Sequence, residues 1–576
     1  MAGWYVTVND IKNWTETNKR SAEEILPLLI KKLILASCKP DSMNFPSGDS
    51  VAVGGWDGML EVNGEIEKEF IGFIPKGKSG WEFGTNNDVK GKADKDYEKR
   101  LDTPDPFILD QTTYVFVTSR LWTKRDEWVS TKKLDGEWKD VRGINAETLQ
   151  DWLEKCPAVH RWFAEIVGKR SKDLWDVEQE WNKLSSATSV KLTRKFFLHN
   201  RTKEMMELKN NLDKGKNLYR VKFKSKLESY GFLLSVIMED ENLKARSLII
   251  QNQETWDFIS QSNYELILIP KGFIPNGLGA AISNGHTVVI PIDEMDTHDV
   301  SINLPFHQRL IRQEAIQELG FDKEKASQIY QDTKGYIEPI LRHSLMAPID
   351  YREPGWKCTV SSDVLFAIFF ASEWSEDNEK DKQVMEYLSN TSYTEFSKKI
   401  NELSKENDPP IRRIGTTWQL ISKIDFWLII APLITREHLD RLGSMIQVVI
   451  TDIDPSFDLP SEKKFMAGIM GEMPLYSEKI KRGFGDTLAI LSVYGDEFSN
   501  QLGGDKPSVL VNYWLHRIFE QNNNSRFWYS IRNITTFIAE AAPDAFLAAV
   551  EKGSMEDESI FLNLFKRNPH VLLLLT

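Results

Sequence analysis

Residues 51–62, VAVGGWDGMLEV, and 79–85, SGWEFGT, decide how this chain reads. The first stretch is strand-like with a turn inside it. The second is a short strand reached through the turn-rich PKGKSG at 75–80. Asp57 lies in GWDG, where small neighbours let a strand bend and leave a carboxylate exposed. Glu82 lies on the adjacent strand between Trp81 and Phe83, where an unpaired carboxylate is costly to bury.

Working outward, SAEEILPLLIKKLILA (21–36) repeats apolar residues at helical spacing, with Ser21 as its expected N-cap. DVKGKADKDYEKRL (88–101) is a charged helix, and TTYVFVTSR (112–120) is an alternating, β-branched strand. AETLQDWLEKCPAVHRWFAEIVG (146–168) closes this part as helix. Helix, two strands, helix and strand describe a small α/β domain over 1–170. The polar stretch 171–194 reads as a linker, and 195–345 as a second α/β block. There RSLIIQN (246–252), ELILIP (265–270) and TVVIPI (287–292) suit strands of a covered parallel sheet. From 346 to 576 the pattern is that of an all-α helical array, broken at turns such as NDPPI (407–411). The fold class expected is therefore α/β multidomain with a helical carboxy-terminal part.

Metal-dependent phosphodiester cleavage needs hard oxygen ligands for one or two divalent ions, with a base or cation near the attacking water. Asp57 and Glu82, acids on neighbouring strands behind an acidic helix, are the expected ligands for Mg²⁺ or Mn²⁺. Glu24, with Glu23 beside it, offers a further one from the first helix. The bland alternative stands next to this: 85 acidic residues make such pairs common, and a salt bridge to Lys90 or Lys92 also justifies Glu82.

Bulk properties leave both readings open. The net charge of −13 gives no global field for nucleic acid, so a DNA contact must come from a local basic surface. SRLWTKRDEWVSTKK (119–133) offers Arg120, Lys124 and Arg125 for phosphates, or else is a solvated loop of mixed charge. Three scattered cysteines give no disulfide framework and fit a reducing cytosol. No secretion signal opens the chain. FWLIIAPLI (426–434) is too short to span a membrane and reads as a buried helix. The end HVLLLLT (570–576) is apolar without a polar tail, which suggests a chain cut short of a further helix.

GWDG, WEFGTNNDVKGKADKDYEKR, TTYVFVTSRLWTKRDEW and WKDVRGINAETLQDWL together resemble the restriction-endonuclease-like PD-(D/E)xK domain at the amino terminus of large bacterial proteins. In that family the nuclease is joined to a STAND-type or degenerate nucleotide-binding module and a helical array. The resemblance covers most of 20–168 and loosens beyond. It implies a DNA endonuclease effector of anti-phage defence, with a phage-derived trigger as a further expected partner, while the 30 Phe and 18 Trp suit either the contacts of a homo-oligomer or burial in helical packing. The family motif continues acid–x–Lys, but Gly84 stands at the lysine position. Lys92 from the following helix is the expected replacement and Lys90 the second choice. An inactive nuclease fold, binding DNA or protein as a sensor or scaffold, shows the same gap.

A phosphate-cradling loop needs GxxxxGK[ST], and RVKFKSKLESYGFLL (220–234), where it belongs, has no glycine run. LHNRTKEMMELKNNL (198–212) nevertheless resembles the GRxxE-type opening of STAND modules, and 320–342 resembles their winged or lid segment. This implies a P-loop-like fold that has lost its loop, with no ATP hydrolysis expected. NGLGAAISNG (276–285) fails the dinucleotide pattern at Ile282; Asn284-Gly285 reads as a helix stop.

Overall fold

The computed structural model describes residues 3–46, 55–294, 296–344, 352–406, 408–555 and 560–562. The expected strand residues 51–54 and the apolar end 570–576 fall outside the described residues. The chain is mixed α/β and divides into two compact units, Met1–Ala187 with Leu192–His307, and Thr188–Lys191 with Gln308–Thr576.

The first unit opens with α1 (Val8–Thr17) and α2 (Lys19–Ser37), then β1 (Ser42–Asn44), β2 (Gly58–Val62) and β3 (Gly77–Phe83). Next come α3 (Val89–Asp102), β4 (Thr112–Val117), α4 (Arg125–Leu134), β5 (Asp140–Ile144), α5 (Ala146–Lys155) and α6 (Pro157–Ile166). The five strands lie in chain order, antiparallel from β1 to β3 and parallel from β3 to β5. β4 is buried along its whole length, and its alternation splits it between two cores. Val115 and Val117 join Leu26, Leu29 and Leu33 of α2 on one face. Tyr114 and Phe116 join Val89, Ala93 and Tyr97 of α3 and Trp128 of α4 on the other.

Three local expectations are corrected. Helix α2 begins at Lys19 after Asn18, so Ser21 lies inside it and does not cap it. The stretch 119–133 is loop only as far as Lys124, and α4 then buries Trp128. The expected linker 171–194 contains β6 (Leu174–Asp176), α7 (Val177–Ser185) and the first residue of α8 (Arg194–Leu198). Val177, Trp181 and Leu184 supply the buried stripe that anchors α7.

The unit continues through α9 (Thr202–Lys214), β7 (Leu218–Lys222), α10 (Lys226–Met238), α11 (Glu241–Arg246) and β8 (Ser247–Ile250). It ends with α12 (Gln253–Ser260), β9 (Ile267–Pro270), α13 (Leu278–Ser283), β10 (Thr287–Ile292) and β11 (Ile302–Asn303). These strands form a six-stranded sheet, order β11-β7-β10-β9-β8-β6, parallel except for the edge strand β6. Helix α13 stops at Asn284, and Gly285 at φ +101° turns the chain into β10, a backbone conformation that suits glycine. Leu248, Leu268 and Val288 of this sheet share one continuous core with Leu29, Leu33 and Phe163. No core boundary therefore falls at residue 170, where the sequence suggested one.

The second unit begins at Gln308 rather than 346. It opens with α14 (Arg309–Gln317), α15 (Lys323–Thr333) and α16 (Ile337–Ser344), and further helices follow. It is not all-α: β12 (Glu373–Ser375), β13 (Ile411–Ile414) and β14 (Thr417–Leu420) form an antiparallel sheet, order β12-β14-β13. The apolar run at 426–434 is helical, burying Phe426, Trp427 and Ile430 while Leu428 and Leu433 are exposed. Among the described residues no helix is long and apolar enough to cross a membrane.

Candidate active site

The register that pairs Gly58 with Trp81 brings Asp57 alongside Glu82 one step further on. The Phe83 amide donates to Asp57 Oδ2 at 3.0 Å, which ties the acid to the end of β3. Glu82 points to the same face as Tyr114 and Phe116, beneath α3, and is only 2% exposed. The two acids predicted from the sequence thus come together.

Helix α3 brings three more charges to them. Lys92, Asp96 and Arg100 recur every fourth residue, so they share one side of the helix, next to the apolar stripe of Val89, Ala93 and Tyr97. Lys92 Nζ lies 2.7 Å from Asp96 Oδ2 and donates to Oδ1 at 2.8 Å. Arg100 Nε donates to Glu82 Oε1, and its Nη2 donates to the Gly55 carbonyl. The guanidinium lies over the Trp56 ring, 4.6 Å from the centroid.

Gly84 explains where the lysine runs. It follows Glu82 by two residues and so faces the same side of β3. A Cβ built at Gly84 would stand 3.0 Å from Lys92 Cγ and 2.8 Å from Phe116 Cζ. The stem of Lys92 fills the space that a strand lysine would need. Lys90, the second choice, is exposed.

The electrostatics follow from burial and crowding. Burial first, then the Asp57 charge, pushes the Glu82 carboxyl up to about 8, with Arg100 opposing. Burial also raises Asp96, against the pull of Lys92. Tyr114 is raised well above the usual phenol range, first by burial and then by Glu82, and its buried hydroxyl has no hydrogen-bond partner among the described residues. Three acids, Asp57, Glu82 and Asp96, and two cations, Lys92 and Arg100, crowd this face.

The other predicted residues lie elsewhere. Glu24 pairs with Arg20 of its own helix at 3.1 Å. Its neighbour Glu23 is the acid that turns toward the sheet, accepting from Thr85 Oγ1 at 3.0 Å. Arg120 Nε is engaged by the Thr85 carbonyl at 2.8 Å. With Glu16, Lys19, Asn86, Asn87 and Asp88 it lines an open cavity of about 450 Å³ where the parallel strands end. Arg125 pairs with Asp126 at 2.7 Å and donates to Asn145 at 3.2 Å, while Lys124 is exposed. Asp96 and Arg100 were missed by the sequence reading, although their spacing from Lys92 was visible.

The donors suit a divalent ion in kind, being hard carboxylates. As arranged they do not form a metal cage. Among the described residues no three His, Cys, Asp or Glu side chains stand as a metal-holding group, and the cation at Glu82 is Arg100.

In the six-stranded sheet, β7 passes into α10 through residues 223–225 only, and Ser225 caps the helix through the Glu228 amide. Arg201 Nη2 and Glu228 Oε1 form a buried ion pair at 2.9 Å in the first turn of that helix. His160, by contrast, is a packing residue: buried, it accepts from the Val6 amide at 2.8 Å, and burial holds it down to about 4.

No family model matches the chain, and no curated protein matches it.

Proposed function

We propose that the first unit carries a phosphodiester hydrolase site of the restriction-endonuclease-like kind, acting on DNA with Mg²⁺ or Mn²⁺. The observation that carries this reading is the course of Lys92 over Gly84 toward the face shared with Glu82. That is where an acid–x–Lys lysine would project, so a helix residue replaces a strand residue. In this reading Asp57 and Glu82 are the metal-holding acids. Lys92, oriented by Asp96, offsets charge that develops on the phosphate oxygens. A bound divalent ion would supply Lewis acidity and an activated water. Lys124, exposed at the start of α4, is the freest of the three predicted phosphate contacts.

The wider setting, an anti-phage effector restrained by the six-stranded sheet and the second unit until a phage-derived trigger docks, is supported by the sequence resemblance alone. A second reading has its own support: the Arg100–Glu82 pair fits a nuclease fold that only grips DNA or a protein partner. Plasmid DNA incubated with the full chain and Mg²⁺ or Mn²⁺ separates the two. Nicking that disappears in Asp57→Ala and Glu82→Ala, with unchanged folding, supports the hydrolase. Intact plasmid with measurable binding favours the module, and equal cleavage by the double variant rejects the assignment of these acids.

A further inference from the structure

A second cavity of the first unit, about 220 Å³, is lined by none of the residues around Glu82. It lies where α2 and α5 end. Their C-caps, Cys38 and Cys156, both line it, and the carbonyl ends of helices favour positive charge. The floor is apolar and buried, with Leu35, Phe70 and Leu266. The rim is acidic: Glu65, Glu67 and Glu69, from the segment between β2 and β3, are exposed and form no ion pair among the described residues. Burial, then the charges of Glu265 and Glu69, raise the Glu67 carboxyl, with Lys216 opposing. Helix α11 adds the remaining polar contacts. Asn242 and Arg246 lie one turn apart on it, so they share a side, about 5–6 Å apart at Cβ. Both line the cavity, and Asn242 Oδ1 and Arg246 Nη2 are buried with no hydrogen-bond partner among the described residues. Buried polar atoms ordinarily find partners, and a bare guanidinium is the costliest to leave alone.

We infer that this cavity binds a small zwitterion, a free α-amino acid with an apolar side chain. Its carboxylate pairs with Arg246, its ammonium meets Asn242 Oδ1 and the Glu67–Glu69 acids, and its side chain covers Leu35, Phe70 and Leu266. An α-amino acid carries its two charges on adjacent groups, which matches a donor and an acceptor one helical turn apart. Simpler ligands fit less of the lining. The acids do not stand as a metal-holding group among the described residues, and a metal ion would leave Arg246 unserved. A plain amine would also leave the guanidinium bare, and a plain anion would face the acidic rim. Size agrees: the cavity is smaller than the roughly 300–1,000 Å³ of sites for drug-sized ligands. The inference goes beyond the hydrolase reading and does not depend on it.

The test is calorimetry of the full chain with leucine, with 4-methylpentanoate, which lacks the ammonium, and with 3-methylbutylamine, which lacks the carboxylate. Leucine is expected to bind, and each analogue to bind about tenfold more weakly or worse, the scale of one charge-assisted hydrogen bond. Arg246→Gln is expected to weaken leucine about tenfold and to leave 3-methylbutylamine unchanged. Amine binding as tight as that of leucine, or native leucine affinity in Arg246→Gln, overturns the zwitterion. Glycine binding as tightly as leucine overturns the apolar contact. If leucine, methionine and phenylalanine at about 10 mM give neither heat nor a shift in melting, no such ligand occupies the cavity and the proposal falls. Should Arg246→Gln lose its cooperative melt, Glu67→Gln decides, because an exposed acid carries little of the fold. Weaker binding of leucine and the amine alike supports the site, and native affinity for both overturns it.

Discussion

Gly84→Ala probes directly where Lys92 lies. The new methyl would stand 2.8 Å from Phe116 Cζ and 3.0 Å from Lys92 Cγ, where carbon atoms ordinarily keep about 3.5–4 Å. Phe116 is fully buried, with Trp122 and Trp128 at ring distances of 5.7 and 6.3 Å, so it has little room to retreat. Lys92 is half-buried and can give way. Overfilling a packed site costs about 1–3 kcal/mol. Against this, alanine restricts the unfolded chain and returns about 0.4–1 kcal/mol, since Gly84 does not need a positive φ. The net expectation is a loss of about 1–2 kcal/mol, read as a shift in the urea midpoint at constant slope. Repeating the substitution in a Lys92→Ala background closes a double-mutant cycle. There the 3.0 Å contact is gone while that to Phe116 remains, so the cost should fall by about 0.5–1 kcal/mol. A neutral Gly84→Ala, or a cost equal in both backgrounds, would show that the lysine stem does not cover Gly84. The hydrolase reading would then lose its main support.

The remaining expectations concern charge and close packing. Glu82 has an ordinary value of 4.5 and a folded value of about 8, so the folded state holds the proton more tightly. Its contribution therefore makes stability fall as pH rises between those values, by about 3–5 kcal/mol, and level off above. Urea unfolding from pH 5 to 9 should show this slope flattened in Glu82→Gln; an unchanged slope refutes the attribution. In the second unit, a Cβ on Gly483 would meet the Ala371 carbonyl oxygen at 1.6 Å, so Gly483→Ala must push apart two helices. It should cost about 3 kcal/mol in thermal unfolding, and a native melting temperature would argue against that crossing. Arg342 holds Asp425 through Nε at 2.8 Å and Nη2 at 2.6 Å, and also pairs with Asp408. Arg342→Ala leaves two acids without this partner and should cost about 3–5 kcal/mol, of which Asp425→Ala restores part. If the second substitution only adds to the loss, the pair is not where the energy lies.

Where the sequence carried a long, single-period signal, its reading matches the structure. α2, α3 and β4 all stand within a few residues of their expected places. Short elements failed for lack of signal. β6, LWD, has three residues, and β5, DVRGI, mixes charge with apolar positions. The hairpin IRRIGTTWQL (411–420) pairs strands of four residues around Gly415 at φ +61°, inside a stretch dominated by helical patterns. Unit boundaries failed for a different reason. A polar stretch such as 171–193 looks like a linker from composition. The shared core that joins both sheets comes from α2, α6, β8 and β9, which are far apart in the chain.

The candidate site shows the same division between local and distant information. Asp57 and Glu82 were legible because antiparallel strands joined by a turn-rich segment set their own register, and the register sets which side chains meet. Asp96 and Arg100 were as visible in spacing, yet a charged helix is read as a solvated one. What decides between the two is the neighbouring stripe. Val89, Ala93 and Tyr97 turn α3 toward the sheet, and a row of charges adjacent to that stripe is carried to the edge of the buried face. Such charges need partners, because a lone buried ion is expensive. Lys92 meets Asp96 on its own helix, but Arg100 has no acid four residues before it except Asp96, which is already taken. Its partner must come from the strand below, and Glu82 is the acid that β3 presents there. The same pairing that makes α3 compatible with a buried acid therefore occupies the acid. A site of this kind cannot be both closed and ready to accept a metal ion.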